Sequence, residues 1–261
     1  MPFKLGSNDV SKLYLGSNEI TKAYLGSNVI IEPTAGLPSL AKHTGYWDAG
    51  SSTTFTDQTT NGYNGTVTTV GGGGTSSVTH VAGATPYWQF DAPSSTSEQS
   101  YVLSGYSWGA MAAGDQWTWW SVFQAPSLSY NSSLFTALDS GTDTIGTGVS
   151  RNTNRIYQNV RNGSQSNLAG STTVTINQWL LVMTVATGTQ YELYLNNGLE
   201  ATNTSPIAVD VATQMYLGGW FTSSTVRNNF KFAAGGWMKG TSLNATERTD
   251  LYNYYDAIYS F

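Results

Sequence analysis

Read as a string of apolar and polar positions, most of the chain alternates with a period of two. From about His43 onward, short stretches of this kind follow one another between clusters of turn residues; WTWWSVFQ, WLLVMTVA, YELYLNN, MYLGGW and FKFAAGGWM are the clearest. Alternation sends successive side chains to opposite faces of a pleated strand, and many short strands separated by turn signals predict an all-β sandwich. In YELYLNNGLEATN, Tyr191, Leu193 and Leu195 share one face and Glu192 and Tyr194 the other, while Asn197-Gly198 is a strong hairpin signal. In WTWWSVFQ, Trp117, Trp119 and Phe123 share a face and Trp120 takes the opposite one. Helical spacing is convincing only in LNATERTDLYNYYDAI. There Asn244 predicts an N-cap, Glu247 the capping-box partner three residues on, and Leu251, Tyr254 and Tyr255 a common face.

The first 31 residues have a pattern of their own. LGSN occurs three times with a period of ten, so that Leu5, Leu15 and Leu25 recur in phase, followed by Val10, Ile20 and Ile30. Ten residues match a short strand plus a tight turn, and Gly-Ser-Asn supplies the turn. The expectation is three linked hairpin turns, a small β-meander. Some thirty residues bury too little apolar surface to be stable alone, so this segment is expected to pack against copies of itself or a partner protein. Leu5, Tyr14, Leu15, Ile20, Tyr24, Leu25 and Ile30 are the candidate assembly residues. Residues 32–42, with Pro33, Gly36 and Pro38, read as a linker, and residues 43–261 as the main domain.

Composition narrows the function classes. Of the 261 residues, 13% are aromatic and only 10% charged, so the surface is built mainly from Ser, Thr, Asn, Gln and Gly. The net charge of −5 comes without any run of Lys or Arg, which argues against binding to nucleic acid or an anionic membrane. There is no cysteine, hence no disulfide or thiolate metal site. No apolar run reaches the length of a membrane-spanning helix, and the first residues carry no basic-then-apolar signal segment. Delivery by lysis, by a dedicated machine or as part of a particle is therefore the expectation if the protein works outside a cell.

Two resemblances add to this reading. KLGSNDVSKLYLGSNEITKAYLGSNVI is similar to the repeated LGS leader of tail-associated and other virion proteins of bacteriophages. That resemblance implies attachment to other virion proteins and a place on the particle surface, tail or capsid. In the main domain, WDAGSSTTFTDQTTNGYNGTV, YWQFDAPSS, YELYLNNGLEA, MYLGGW and SLNATERTDLYNYY follow one another in the order found in the concanavalin A-like, laminin-G-like jelly-roll family. The chain departs from that pattern at Phe55, where Trp is usual, at Thr59 and Thr60, where Ser-Gly is common, and in GGGGTSSVTH, which reads as a flexible insertion.

Candidate chemistry follows. Glycoside hydrolysis needs two carboxylates flanking one bond, and the Glu-x-Asp-x-x-Glu strand of the glucanase branch is missing; Asp139 and Asp143 in DSGTD read as a turn. No catalytic residue is assigned, and the protein is not expected to be an enzyme. His43 and His80 are expected to be ordinary surface or linker residues. Asp57, Asn61 and Asn64 offer hard oxygen atoms within eight residues and form a candidate calcium loop, against the alternative of Asx-turns; no cofactor is otherwise required. Sugar binding asks for an exposed aromatic face rimmed by polar groups, for which Trp120, Trp108, Tyr130 and Trp220 are the candidates. The expectation is a bacteriophage tail-associated fibre or adhesin component, a homo-oligomer and as a spike-like part a trimer, whose lectin-like head meets host-surface glycans. Its alternatives are a capsid decoration protein without a ligand and, less favoured, a polysaccharide-degrading enzyme.

Overall fold

The computed structural model describes the backbone of six short strands between residues 3 and 31, and residues 37–70, 76–91, 99–125, 132–138, 143–150, 152–218 and 229–261. The chain divides into two compact units, Met1–Leu40 and Ala41–Phe261.

In the first unit the repeat folds as a string of hairpins: β1 (Phe3–Leu5) with β2 (Asn8–Val10), β3 (Tyr14–Leu15) with β4 (Asn18–Glu19), and β5 (Ala23–Leu25) with β6 (Asn28–Ile31). Leu5 pairs with Asn8, Leu15 with Asn18 and Leu25 with Asn28, so each copy of Leu-Gly-Ser-Asn closes a hairpin through a two-residue loop. Each ladder is complete in itself, giving three two-stranded sheets in series. Of the candidate assembly residues, Ile20 lies outside the described residues; the other six lie in these strands.

The second unit is nearly all β. In chain order its strands are β7 (Gly45–Asp48), β8 (Gly65–Val70), β9 (Ser77–Val81), β10 (Tyr87–Asp91), β11 (Gln99–Met111), β12 (Gln116–Gln124), β13 (Ser132–Leu138), β14 (Asp143–Ser150), β15 (Arg155–Asn162), β16 (Ser164–Thr173), β17 (Trp179–Thr187), β18 (Tyr191–Leu195), β19 (Gly198–Asn203), β20 (Val209–Leu217) and β21 (Phe230–Lys239), and helix α1 (Ala245–Tyr259) follows. They form two antiparallel sheets. The first runs β19-β18-β17-β12-β21-β10-β9, with β7 also on β21; the second runs β16-β15-β14-β13-β20-β11-β8. Every strand expected from alternation is present, and Ser77–Val81, expected to be flexible, is the edge strand beside β10, with Val78 packed against the core.

The space between the sheets is filled by aromatic residues. Trp117, Trp119 and Phe123 point into it from β12, as the alternation requires; Trp117 meets Tyr191, Trp119 meets Phe135, and Phe135 meets Trp237. Gly235 is needed here: a Cβ would come within 2.6 Å of Phe232 and 2.9 Å of Phe135. Tyr191, Leu193 and Leu195 also face the core. The hairpin they begin turns one residue earlier than Asn197-Gly198 suggests. Leu195 pairs with Gly198, and Asn196 and Asn197 take the two positive-φ positions (46° and 64°), the requirement of a type I′ turn.

The sandwich is sewn along one edge. Glu200 on β19 accepts the backbone N–H groups of Ser171 and Thr172 and both their hydroxyls, at 2.7 to 2.8 Å. Those backbone donors would otherwise be the open edge of β16. Partial burial alone would raise the Glu200 pKa, but these four hydrogen bonds hold it below the usual carboxylate range.

Candidate functional site

A two-sheet sandwich has two outward faces, and here they differ. The outward face of the first sheet is covered by α1. Asn244 caps this helix, its side chain accepting from Glu247 N while Glu247 accepts from Asn244 N, so the capping box is formed as expected. The helix buries Leu251, Tyr255 and Tyr259; Tyr254 is only half-buried.

Under the helix lies a closed polar-aromatic cluster. Trp120 is 1% exposed and donates its indole N–H to His43 Nε2 at 2.8 Å. Its ring stands 5.3 Å from Tyr255 and 5.8 Å from Tyr46. Tyr46 donates to Asp48 Oδ2, which Tyr255 also approaches, while Gly50 N donates to Oδ1 at 2.6 Å. Burial and the neighbouring Asp48 carboxylate push the hydroxyl of Tyr46 far above its ordinary pKa, and burial does the same to Tyr255. Space for Trp120 and His43 exists because residue 236 is glycine: a Cβ would lie 2.8 Å from both.

Four expectations are corrected here. Trp120 does point away from the core, but a buried ring presents no face to a sugar, because the helix occupies that side. His43 is 5% exposed and an acceptor inside this cluster, not a surface or linker residue. His80 is partly buried, within 3.0 Å of the Ala49 carbonyl and edge-on to Trp88. Trp108 is corrected for a different reason. It is 1% exposed and faces the core from β11, with its indole N–H on Met111 Sδ and its ring 4.8 Å from Trp119. Tyr130 and Trp220 lie outside the described residues.

The candidate calcium loop folds around Asp57 as a hydrogen-bond hub. Its Oδ1 accepts from Tyr46 N and Thr59 N, and its Oδ2 from Thr59 Oγ1 and Tyr63 N, between 2.8 and 3.1 Å. Four donors occupy the lone pairs of one carboxylate. Asn64 Oδ1 accepts from Asp57 N, and Asn61 Nδ2 donates to the Thr44 carbonyl. The Asx-turn alternative describes this loop as folded, each Asp57 oxygen accepting two hydrogen bonds. Among the described residues no three His, Cys, Asp or Glu side chains cluster as metal ligands would.

The outward face of the second sheet is the candidate site. Among the described residues the one α-helix packs on the other side, so no helix covers this face. Along β15, Ile156 and Val160 enter the core, which places Tyr157, Asn159 and Arg161 on the outward face. The register continues these three positions across the sheet. Tyr157 lies beside Gly148 and then Ser133, Asn159 beside Gly146 and then Thr136, and Arg161 beside Thr144. Burial raises the pKa of Tyr157 to about 12, and the Ser133 hydroxyl offsets part of the rise. Thr136 leads on to Tyr216 of β20, whose ring meets Tyr101 of β11 edge-on at 5.6 Å. On the other side Asn159 pairs with Asn167 of β16, which is exposed.

Aromatic rings, amides and a guanidinium on one outward face are suited to a polyhydroxylated ligand: rings stack on sugar C–H faces and amides bond hydroxyls. The described side chains of this face include no Asp or Glu, so they offer no acid–base pair for hydrolysis. Sequence reasoning overlooked these residues. The alternation in RIYQNVRN carried the signal, but Gln158 on the core side blurred its polarity.

No protein-family model matches the chain, and no curated protein matches it in sequence. Solved structures do match its fold. The binding domain of Paraclostridial Mosquitocidal Protein 1 superposes with a TM-score of 0.63 at 13% identity, covering 83% of this chain and 53% of that one. Domain 4 of AbnA, a GH43 extracellular arabinanase from Geobacillus stearothermophilus, in complex with arabinotriose, gives 0.59 at 13% identity and covers 80% and 98%. The binding domain of botulinum neurotoxin DC in complex with SialylT gives 0.57 at 11% identity, covering 82% and 51%. The chain thus spans about half the length of the toxin binding domains it matches and nearly the whole of the arabinanase domain. At these identities the likeness is one of fold: an all-β sandwich of two antiparallel sheets with a C-terminal helix, as the alternation and the jelly-roll resemblance led us to expect.

Proposed function

We propose that this chain is a carbohydrate-binding structural protein of a bacteriophage particle, a tail-associated fibre or adhesin component that contacts host-surface glycans through the outward face of its second sheet. The observation that carries the glycan reading is that outward face, which no helix of the described residues covers and on which Asn167 is exposed and Tyr157, Asn159, Arg161 and Tyr216 are partly exposed. The matched structures support it, since they are binding domains and one accessory domain holding arabinotriose. They support a binding rather than a catalytic role in the same way.

The place on a particle rests on the LGSN repeat, whose hairpins are too small to be stable alone. In this reading they join other virion proteins or further copies of the chain, a trimer being the natural form of a spike. Light scattering of the full chain at several concentrations, beside a glycan array, tests both halves. Oligomers and glycan signals are expected. A monomer at every concentration removes the self-assembly reading, and an array without signal removes the adhesin reading.

A further inference from the structure

Arg161 is not accounted for by the fold. Its Nε is shielded from solvent and has no hydrogen-bond partner, and the Oδ1 of its face neighbour Asn159 is likewise shielded and unpartnered. Arg248 shares the unpartnered Nε but has Glu192 beside it, Lys42 pairs with Glu247, and Lys239 lies on the carbonyls of Trp108 and Ala110. Arg161 has no carboxylate among the described residues, in a chain whose acids outnumber its Lys and Arg by sixteen to eleven. A guanidinium stays charged at any working pH, and holding it partly out of water without a counter-ion is unfavourable unless something bound supplies one.

Resting on the glycan reading above, we propose that Arg161 and Asn159 form an anion-recognising subsite on the outward face of the second sheet, and that the glycan it takes carries a carboxylate, a uronic or sialic acid. A carboxylate is planar and accepts two parallel N–H bonds from the guanidinium fork. The carbonyl oxygen of Asn159 then accepts a ligand hydroxyl or amide N–H. Tyr157, beside Gly148 in the register and partly exposed, offers an apolar surface to the next ring. Alternate residues on a strand are roughly 6.6 Å apart, so Tyr157 and Arg161 together span a short oligosaccharide rather than one sugar.

The test is an array of uronic-acid-bearing, sialic-acid-bearing, sulfated and neutral oligosaccharides, probed with the full chain and with Arg161→Gln, Arg161→Lys and Asn159→Ala, each checked for its melting temperature. Carboxylated glycans are expected to bind, more weakly as salt rises. Arg161→Gln should lose roughly ten- to hundredfold in affinity, and Arg161→Lys should recover only part of it, because an ammonium lacks the fork. Binding of neutral glycans alone, equal in wild type and Arg161→Gln, overturns this inference and leaves the glycan reading standing. Binding of sulfated but not carboxylated glycans overturns the choice of ligand. No binding at all overturns both.

Discussion

The two outward faces of the sandwich both carry large aromatic and polar side chains, yet they are resolved in opposite ways. On the first sheet, Trp120, Tyr46, Tyr255, His43 and Asp48 find one another and a helix closes over them. On the second, Asn159 and Arg161 hold polar atoms that the described protein does not partner. An aromatic-rich strand is thus no guide to a ligand by itself. The difference between the two faces is that one set of polar side chains is closed over by a helix while Asn159 and Arg161 lack a counter-group.

The comparison is broken most readily at the largest side chain. Trp120→Ala should cost about 3–5 kcal/mol through the cavity left beneath α1, seen as a lower urea midpoint, while the folded fraction binds glycan as before; lost binding with unchanged stability would reverse the roles of the two faces. Gly236→Ala drives a methyl group into Trp120 and His43 and should cost about 1–3 kcal/mol, measured the same way. Asn244→Ala removes the cap that seats the helix and should cost about 1 kcal/mol, with thermal unfolding as the readout.

A smaller effect appears with pH. The folded-state pKa of Glu200 lies below its ordinary 4.5, so its contribution to stability is fully present above that value and is lost as the pH falls through the folded-state pKa. Glu200→Gln should therefore be less stable than wild type at neutral pH, and the gap should close in acid; a constant gap from pH 7 to 3 would show that the seam does not depend on the carboxylate charge. The smallest effect on stability is expected on the second face. Asn167→Ala should change unfolding by no more than about 0.5 kcal/mol but weaken glycan capture, and unaltered capture would move the recognition surface away from β16.

Much of the architecture was legible because strand alternation is local. Each of the apolar stretches singled out became a strand, and Trp117, Trp119 and Phe123 turned inward together. The capping box at Asn244 and Glu247 was equally legible, since cap and partner are three residues apart. The hairpin at Asn196-Asn197 was placed one residue late: two adjacent Asn residues can take positive φ as readily as Asn-Gly, and only the pairing of Leu195 with Gly198 decides the register. His43 was misplaced because its partner, Trp120, is 77 residues away.

The sequence by itself therefore determined the all-β class, the faces of its strands, the one helix and the hairpin period of the N-terminal repeat, all of which depend on neighbours within a few residues. Tertiary structure alone decided which face α1 covers, that Asp57 satisfies its own loop, and that Tyr157, Asn159 and Arg161 share one outward face with Tyr216. Those outcomes depend on strands brought together from distant parts of the chain, and on whether each buried polar atom finds a partner there.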